Sequence, residues 1–263
     1  MRKIKISIAI FSTICLLASC DSVQESELTF ETFEDSLIVA CPNSPLPCFE
    51  MNLKVEFPVK GADTTVLKNV QRTLATDLFT EKYTTILPEN LLGAYLSACY
   101  EEYNLIKRDI LGSPVLYHYQ EMLTAVPLYS SDKLLTYEAT RYLFSGGAHG
   151  LETTKCWVFD LATGNHLTEA DIFIETYSES LVPLLTQLLE ADAAKRNLQL
   201  SDFWLPQLVS NGNFAITEDG VFYHFNPYDI APYVFGSTRL FIPKETLLPL
   251  LKKGTLVYEL FSN

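Results

Sequence analysis

From Phe49 the chain alternates. Met51, Leu53, Val55 and Phe57 are apolar and the residues between them are polar or charged, the period-two signature of a strand with one buried face. Ser36–Ala40 reads as a shorter strand before it. The period then changes. After Gly61-Ala62-Asp63, apolar residues fall at Val66, Val70, Leu74 and Leu78, one stripe of a helix. A second helix starts at Pro88-Glu89, with Leu92, Tyr95, Leu96, Cys99, Tyr103 and Ile106 along a face. Alternation returns from Tyr117 to Tyr129 and from Leu134 to Phe144, two long strands joined through Ser130–Lys133. A third, Thr153–Asp160, sends Trp157 and Phe159 to one side and Cys156 and Val158 to the other.

Leu161–Asn165 is a turn, and Thr168 suits the cap of a short segment holding Asp171 and Phe173. A helix is expected over 178–196, with Pro183 admissible only in its first turn or at a kink. Phe214–Thr217 and Val221–Phe225 flank Glu218-Asp219-Gly220, a hairpin signal because Asp-Gly accepts positive φ. Thr238–Ile242 is another strand, Pro243 opens a helix to about Lys253, and Thr255–Phe261 reads as a closing strand. Strands cluster between helices without regular βαβ alternation. The expected fold is therefore α+β, with mixed, mainly antiparallel sheets, packed helices and two small subdomains at 35–132 and 133–263.

The first residues follow another pattern. Met1–Lys5 carries three positive charges, and the apolar run Ile6–Leu17 that follows falls short of the roughly 20 residues a membrane span needs. It suits the h-region of a signal peptide, and it ends in Leu17-Ala18-Ser19-Cys20, the lipobox pattern of bacterial lipoproteins. The reading expects a signal peptide over 1–19, lipidation of Cys20, and a polar tether over 20–34. The protein would then sit at the cell envelope, on the periplasmic face or the cell surface, with the membrane a partner through the lipid anchor.

Charge narrows the partners. The chain carries −13, and cleavage after Ser19 would remove Arg2, Lys3 and Lys5 but no acid, leaving −16. Such a surface repels nucleic acid and anionic lipid and suits a basic partner. In an oxidising compartment Cys41, Cys48, Cys99 and Cys156 can pair in three ways. The expected pairs are Cys41–Cys48, stapling the loop Pro42–Pro47, and Cys99–Cys156. No CxxC or HxxxH spacing is present, so no metal and no cofactor are expected.

Two segments carry a resemblance. Tyr142-Leu-Phe-Ser-Gly-Gly-Ala-His-Gly150 is a strand entering a glycine-rich turn, and Phe225-Asn-Pro-Tyr-Asp-Ile-Ala-Pro-Tyr-Val-Phe-Gly236 leaves one strand and enters another. With Phe-Asp-Leu-Ala-Thr-Gly at 159–164, they resemble the RsiV-type C-terminal domain, the extracellular part of lysozyme-sensing anti-sigma factors. Residues 30–130 resemble the small PdaC-type domain often found before it. Anti-sigma factors of that type place a sigma-binding segment and a membrane helix ahead of this domain. Here a lipobox stands instead, which favours a tethered binder over a transmembrane regulator.

The candidate ligand residues are Gly146, Gly147 and His149 in the first loop and Asn226, Tyr228 and Tyr233 in the second. Glycines let backbone amides approach a partner, an imidazole donates or accepts, and tyrosines offer an apolar face with a polar tip. The bland alternative is a tight turn and core packing. Gly146–Gly150 is not a P-loop, because the Gly-Lys-Ser/Thr ending is missing, and no G-x-S-x-G elbow occurs. No catalytic residue is assigned. The expected function is a non-catalytic binding module for a protein, lysozyme-like in its sharpest version, or for an envelope glycan such as peptidoglycan. The alternative is a cell-wall glycan or peptide enzyme using His149 as acid/base.

Overall fold

A computed structural model describes residues 28–42, 44–61, 63–109 and 118–262. The lipobox and its Cys20 lie outside the described residues. The fold is α+β. Six strands form one sheet in chain order, β1 (Thr29–Val39), β2 (Phe49–Lys60), β3 (Tyr119–Ser130), β4 (Leu134–Phe144), β5 (Leu151–Asp160) and β6 (Asn165–His166). Neighbours are antiparallel except β2 and β3, which run parallel. A parallel pair needs a crossover, and α1 (Thr64–Phe79) and α2 (Pro88–Asp109) supply it. Strand β1 begins well inside the stretch expected to be tether. Its apolar Phe30, Phe33, Leu37 and Val39 pack on the core, so the pairing with β2 extends back to Thr29.

Alternation decides the two faces of this sheet. Met51, Leu53, Val55 and Phe57 of β2, Leu123 and Ala125 of β3, and Trp157 and Phe159 of β5 share one apolar cluster. The stripe Val70, Leu74 and Leu78 of α1 and Leu92 and Leu96 of α2 cover it. Leu134 and Val158 point the other way into a second cluster. Helix α1 is capped by Asp63, whose carboxylate accepts from the amides of Thr65 and Val66 at 2.6 and 3.2 Å. It is tied to β5 through Asp77, which accepts from Lys155 Nζ at 2.6 Å and Trp157 Nε1 at 2.7 Å. Burial alone would raise the Asp77 pKa, but these two donors hold it below the usual carboxylate value.

The second cluster belongs to a three-stranded antiparallel sheet, β7 (Phe214–Thr217), β8 (Gly220–Phe225) and β9 (Thr238–Pro243), and to α4 (Tyr177–Lys195), which follows the short α3 (Glu169–Ile172). Leu181, Leu185, Leu189 and Ala193 form the buried stripe of α4. Pro183 lies in its second turn, outside the first turn where proline is cost-free. Thr136 Oγ1 donates to Ile216 O at 2.6 Å and so ties β4 to β7. The large sheet continues through the boundary expected at 132/133. What separates the halves is the face of the sheet on which each cluster packs.

Two expectations at the C-terminus are corrected. The helix expected from Pro243 to Lys253 is only α5 (Lys244–Leu247) and a 3-10 turn at Leu248–Leu250, because Leu251 extends to pair with Phe173. Thr255–Phe261, expected as a strand, is the helix α6 (Leu256–Ser262). Thr255 Oγ1 accepts from Tyr258 N at 3.3 Å, and Val257 and Phe261, four residues apart, are the buried side chains. Leu256, Val257, Leu260 and Phe261 fit one helical face as well as they fit a strand, and the cap decides.

Cys41 and Cys48 form a disulfide that closes the loop between β1 and β2. The expected Cys99–Cys156 bond is absent, and both are free thiols. Cys99 stands on α2, on the helix-covered side of the large sheet, whereas Cys156 alternates to the opposite face. Its thiol donates to Glu138 there at 3.6 Å. Burial, and then the Glu138 charge, push the Cys156 pKa up to about 12.

Candidate functional site

The two loops singled out by sequence meet. Gly146 and Gly147 take φ of 98° and 99°, backbone that favours glycine, and turn the chain sharply after β4. Gly150 is needed for a different reason: the ring of Tyr142 lies where its Cβ would be. Residues 145–149 are exposed, and His149 stands at the tip. Its ring stacks on Tyr233, with centroids 3.9 Å apart and planes 17° from parallel. His149 Nε2 lies 3.3 Å from Tyr228 Oη, and Nδ1 lies 3.0 Å from Gly150 O. A carbonyl only accepts, so Nδ1 donates to Gly150 O, and Nε2 is the ring atom shared with the phenol. Tyr228 and Tyr233 complete the group at 5.8 Å.

The second loop is built to present these rings. Asp229 Oδ2 accepts from Asn226 N at 2.7 Å, and Asp229 N donates to Asn226 O at 3.0 Å, closing a turn. Tyr228 within it has φ of 74°, a left-handed backbone costing an L residue about 1 kcal/mol or more. The ring it carries is 50% exposed, so burial does not repay that strain.

Asn226 is in the loop but its side chain serves the scaffold. Beyond its short pairing with β6, β5 has no strand neighbour on its outer side. Asn226 Oδ1 accepts from Thr154 N at 2.6 Å, and Asn226 Nδ2 donates to Thr154 O at 3.1 Å. Asn213 adds bonds to Thr154 O at 2.8 Å and from Cys156 N at 2.9 Å. Two side-chain amides thus replace a missing strand. This fixes the second loop against the root of the first.

A second arrangement has no motif. At the other end of the Gly146–Gly150 loop, Glu121 of β3 is 1% exposed. It accepts from Tyr95 Oη at 3.0 Å and Tyr119 Oη at 2.5 Å and pairs with Arg141 Nε at 3.3 Å. Arg141 also donates to Leu78 O at the end of α1. Burial, and then the Glu121 charge, hold both phenol pKa values far above the ordinary tyrosine value. The one sequence signal was a glutamate at an inward position of a strand whose other inward residues are Leu123 and Ala125. Among the described residues no group of three His, Cys, Asp or Glu side chains could hold a metal ion. No described helix is long and apolar enough to cross a membrane.

Residues 170–245, which include Tyr228 and Tyr233 but not His149, match a family described as "Protein of unknown function (DUF3298)". The chain is distantly homologous to the peptidoglycan-N-acetylmuramic acid deacetylase PdaC of Bacillus subtilis, at 28% identity over 116 residues, which is 43% of this chain and 25% of PdaC. Immunogenic protein MPT64 of Mycobacterium tuberculosis is 27% identical over 110 residues, 40% of this chain and 47% of that protein. The chain thus spans a quarter to a half of the curated relatives it matches. Two solved structures share the fold. A DUF3298-family member from Bacteroides fragilis superposes with a TM-score of 0.76 at 24% identity, over 90% of this chain and 98% of its own. Another from Pseudomonas aeruginosa gives 0.60 at 20%, over 88% and 97%.

Proposed function

We propose that this chain is an exported, lipid-tethered binding module whose His149–Tyr228–Tyr233 platform recognises a cell-envelope glycan without turning it over. The observation that carries the reading is the stack itself. Three rings lie within 7 Å of one another and within about 30° of parallel where two loops meet, with His149 and Tyr228 exposed and Tyr233 half-buried beneath them. The C–H face of a sugar ring packs on such a surface, while the phenol and imidazole edges bond its hydroxyls. The lipobox at Cys20 and the resemblance of residues 140–255 to RsiV-type domains support the envelope setting. Partial homology to a protein named for peptidoglycan chemistry supports the ligand class.

A basic protein such as lysozyme is the second reading, favoured by the formal charge of −13. One experiment addresses both. The full chain in detergent is titrated with soluble peptidoglycan fragments and, separately, with lysozyme at low salt. Glycan binding that weakens about tenfold in Tyr233→Ala is the expected result. A lysozyme complex without glycan binding would move the function to the second reading, and neither would sink the module. Turnover of the fragments that disappears in His149→Ala would establish the enzyme alternative instead.

A further inference from the structure

Ser145, which precedes the platform's glycine turn, also lines a cavity of about 440 Å³ on the helix side of the large sheet, within the range of small-molecule sites. Phe79, Tyr83 and Tyr95 wall it with rings in edge-to-face contact, 5.0 to 6.3 Å between centroids. Tyr95 and Tyr119 line it as well, with their phenol groups turned to Glu121. Each phenol has committed its only proton to the carboxylate, so what remains on its oxygen is acceptor capacity. Lys82, seated 4.9 Å from the Tyr83 ring, is a cationic donor lining the cavity, and Glu102 a further acceptor.

An apolar residue at 121 would occupy the same inward position without taking a charge out of water. The carboxylate does something an apolar residue cannot, which is to fix two phenols in one orientation beside an open cavity. Flat apolar walls combined with clustered acceptors match a ring that shows C–H groups on its faces and O–H groups around its edge. His149 is four positions after Ser145, so their Cα atoms lie within about 14 Å.

We infer that this cavity is a second saccharide subsite, taking a sugar unit of the same glycan chain that lies on the His149 platform. The inference takes its ligand class from the platform reading and goes beyond it in placing a second ring. Cys99, a half-buried free thiol on the cavity wall, reports occupancy without any substitution. The full chain in detergent is alkylated with iodoacetamide at mildly alkaline pH, with and without peptidoglycan glycan fragments of two and four sugars. Modification at Cys99 is followed by peptide mass mapping.

The expected result is that the four-sugar fragment slows Cys99 alkylation about threefold or more. It should bind about tenfold more tightly than the two-sugar fragment. Ala98→Phe, which fills the cavity from its half-buried position on α2, should abolish that gain in affinity while the circular dichroism of the fold stays unchanged. Fragment binding that is weakened by Tyr233→Ala but leaves Cys99 alkylation unaltered would overturn the subsite and leave the platform standing. Cys99 protection that persists while Tyr233→Ala has no effect would support the cavity and remove the platform. Absence of any fragment binding would overturn both.

Discussion

At Tyr95 and Tyr119 the phenols turn inward and donate to a carboxylate that water does not reach, whereas at Tyr228 the phenol reaches outward to an exposed imidazole. The two groups flank one short loop, Ser145–Gly150, and are built from the same residue types. Their surroundings set their roles. The inner phenols fill the acceptor sites of Glu121 together with Arg141, so removing any member leaves another buried and unsatisfied. The outer rings lean on each other and on a strained turn, with His149 and Tyr228 exposed. Interaction within the first group holds the fold and leaves only acceptor capacity on its phenols, whereas the second group has its exposed edges free to hold something else.

The sharpest way to break this contrast is Glu121→Ala. It strands two phenols and a guanidinium, and the expected loss is about 3 kcal/mol or more in urea unfolding. A loss below about 1 kcal/mol would mean the inner network is as dispensable as the outer stack. Asn226→Ala comes next. Thr154 N–H loses its partner on the open edge of β5, at a cost of about 1–3 kcal/mol. If Asn226→Ala instead left stability untouched and abolished ligand binding, Asn226 would rejoin the platform.

A third measurement concerns a buried imidazole that, unlike the Glu121 carboxylate, has no hydrogen-bond partner among the described residues. His224 in β8 is 7% exposed, and neither ring nitrogen is bonded among the described residues. Burial, and then the charge of Arg239, push its pKa below the ordinary 6.5. The unfolded chain therefore takes up a proton that the folded protein resists. This contribution to stability is complete above about pH 6.5, declines as pH falls toward the depressed folded value, and is level below it. His224→Phe should flatten the fall in unfolding free energy between pH 7 and 5. It should do so only in part, because His166, exposed at its surface but partly desolvated by its neighbours and beside Lys155, is lowered in the same direction. An unchanged slope would show that the imidazole is relieved by some group in solution.

The smallest expected effect on stability is Tyr233→Ala, about 0.5 kcal/mol, in line with partly exposed side chains that serve no cap and no core. The same variant should lose most glycan affinity. Stability and binding are thus expected to separate at Tyr233 and to fall together at Asn226.

The legible parts of the sequence were those in which one periodicity dominates. Val66, Val70, Leu74 and Leu78 gave α1, and the alternation from Met51 to Phe57 gave the buried face of β2. The glycine turn and the Asn226–Gly236 loop were visible as candidates because glycine, asparagine and proline mark places where the backbone must bend. Thr255–Phe261 was misread because a short apolar run satisfies two periods, and only a capping hydroxyl distinguishes them. The Cys99–Cys156 pairing failed because residue spacing says nothing about which face of a sheet each cysteine occupies.

The sequence by itself determined the class of fold, most of its elements, and the residue types at the two loop tips, since each depends on local propensity and patterning. Only the tertiary structure decided that His149 rests on Tyr233, that Asn226 substitutes for a strand, and that Glu121 gathers two tyrosines and an arginine beside a cavity. Apart from Tyr119, two positions from Glu121, those arrangements join residues 20 to 84 positions apart, and what brings them together is the packing of two apolar clusters on opposite faces of one sheet. No local pattern encodes that distance.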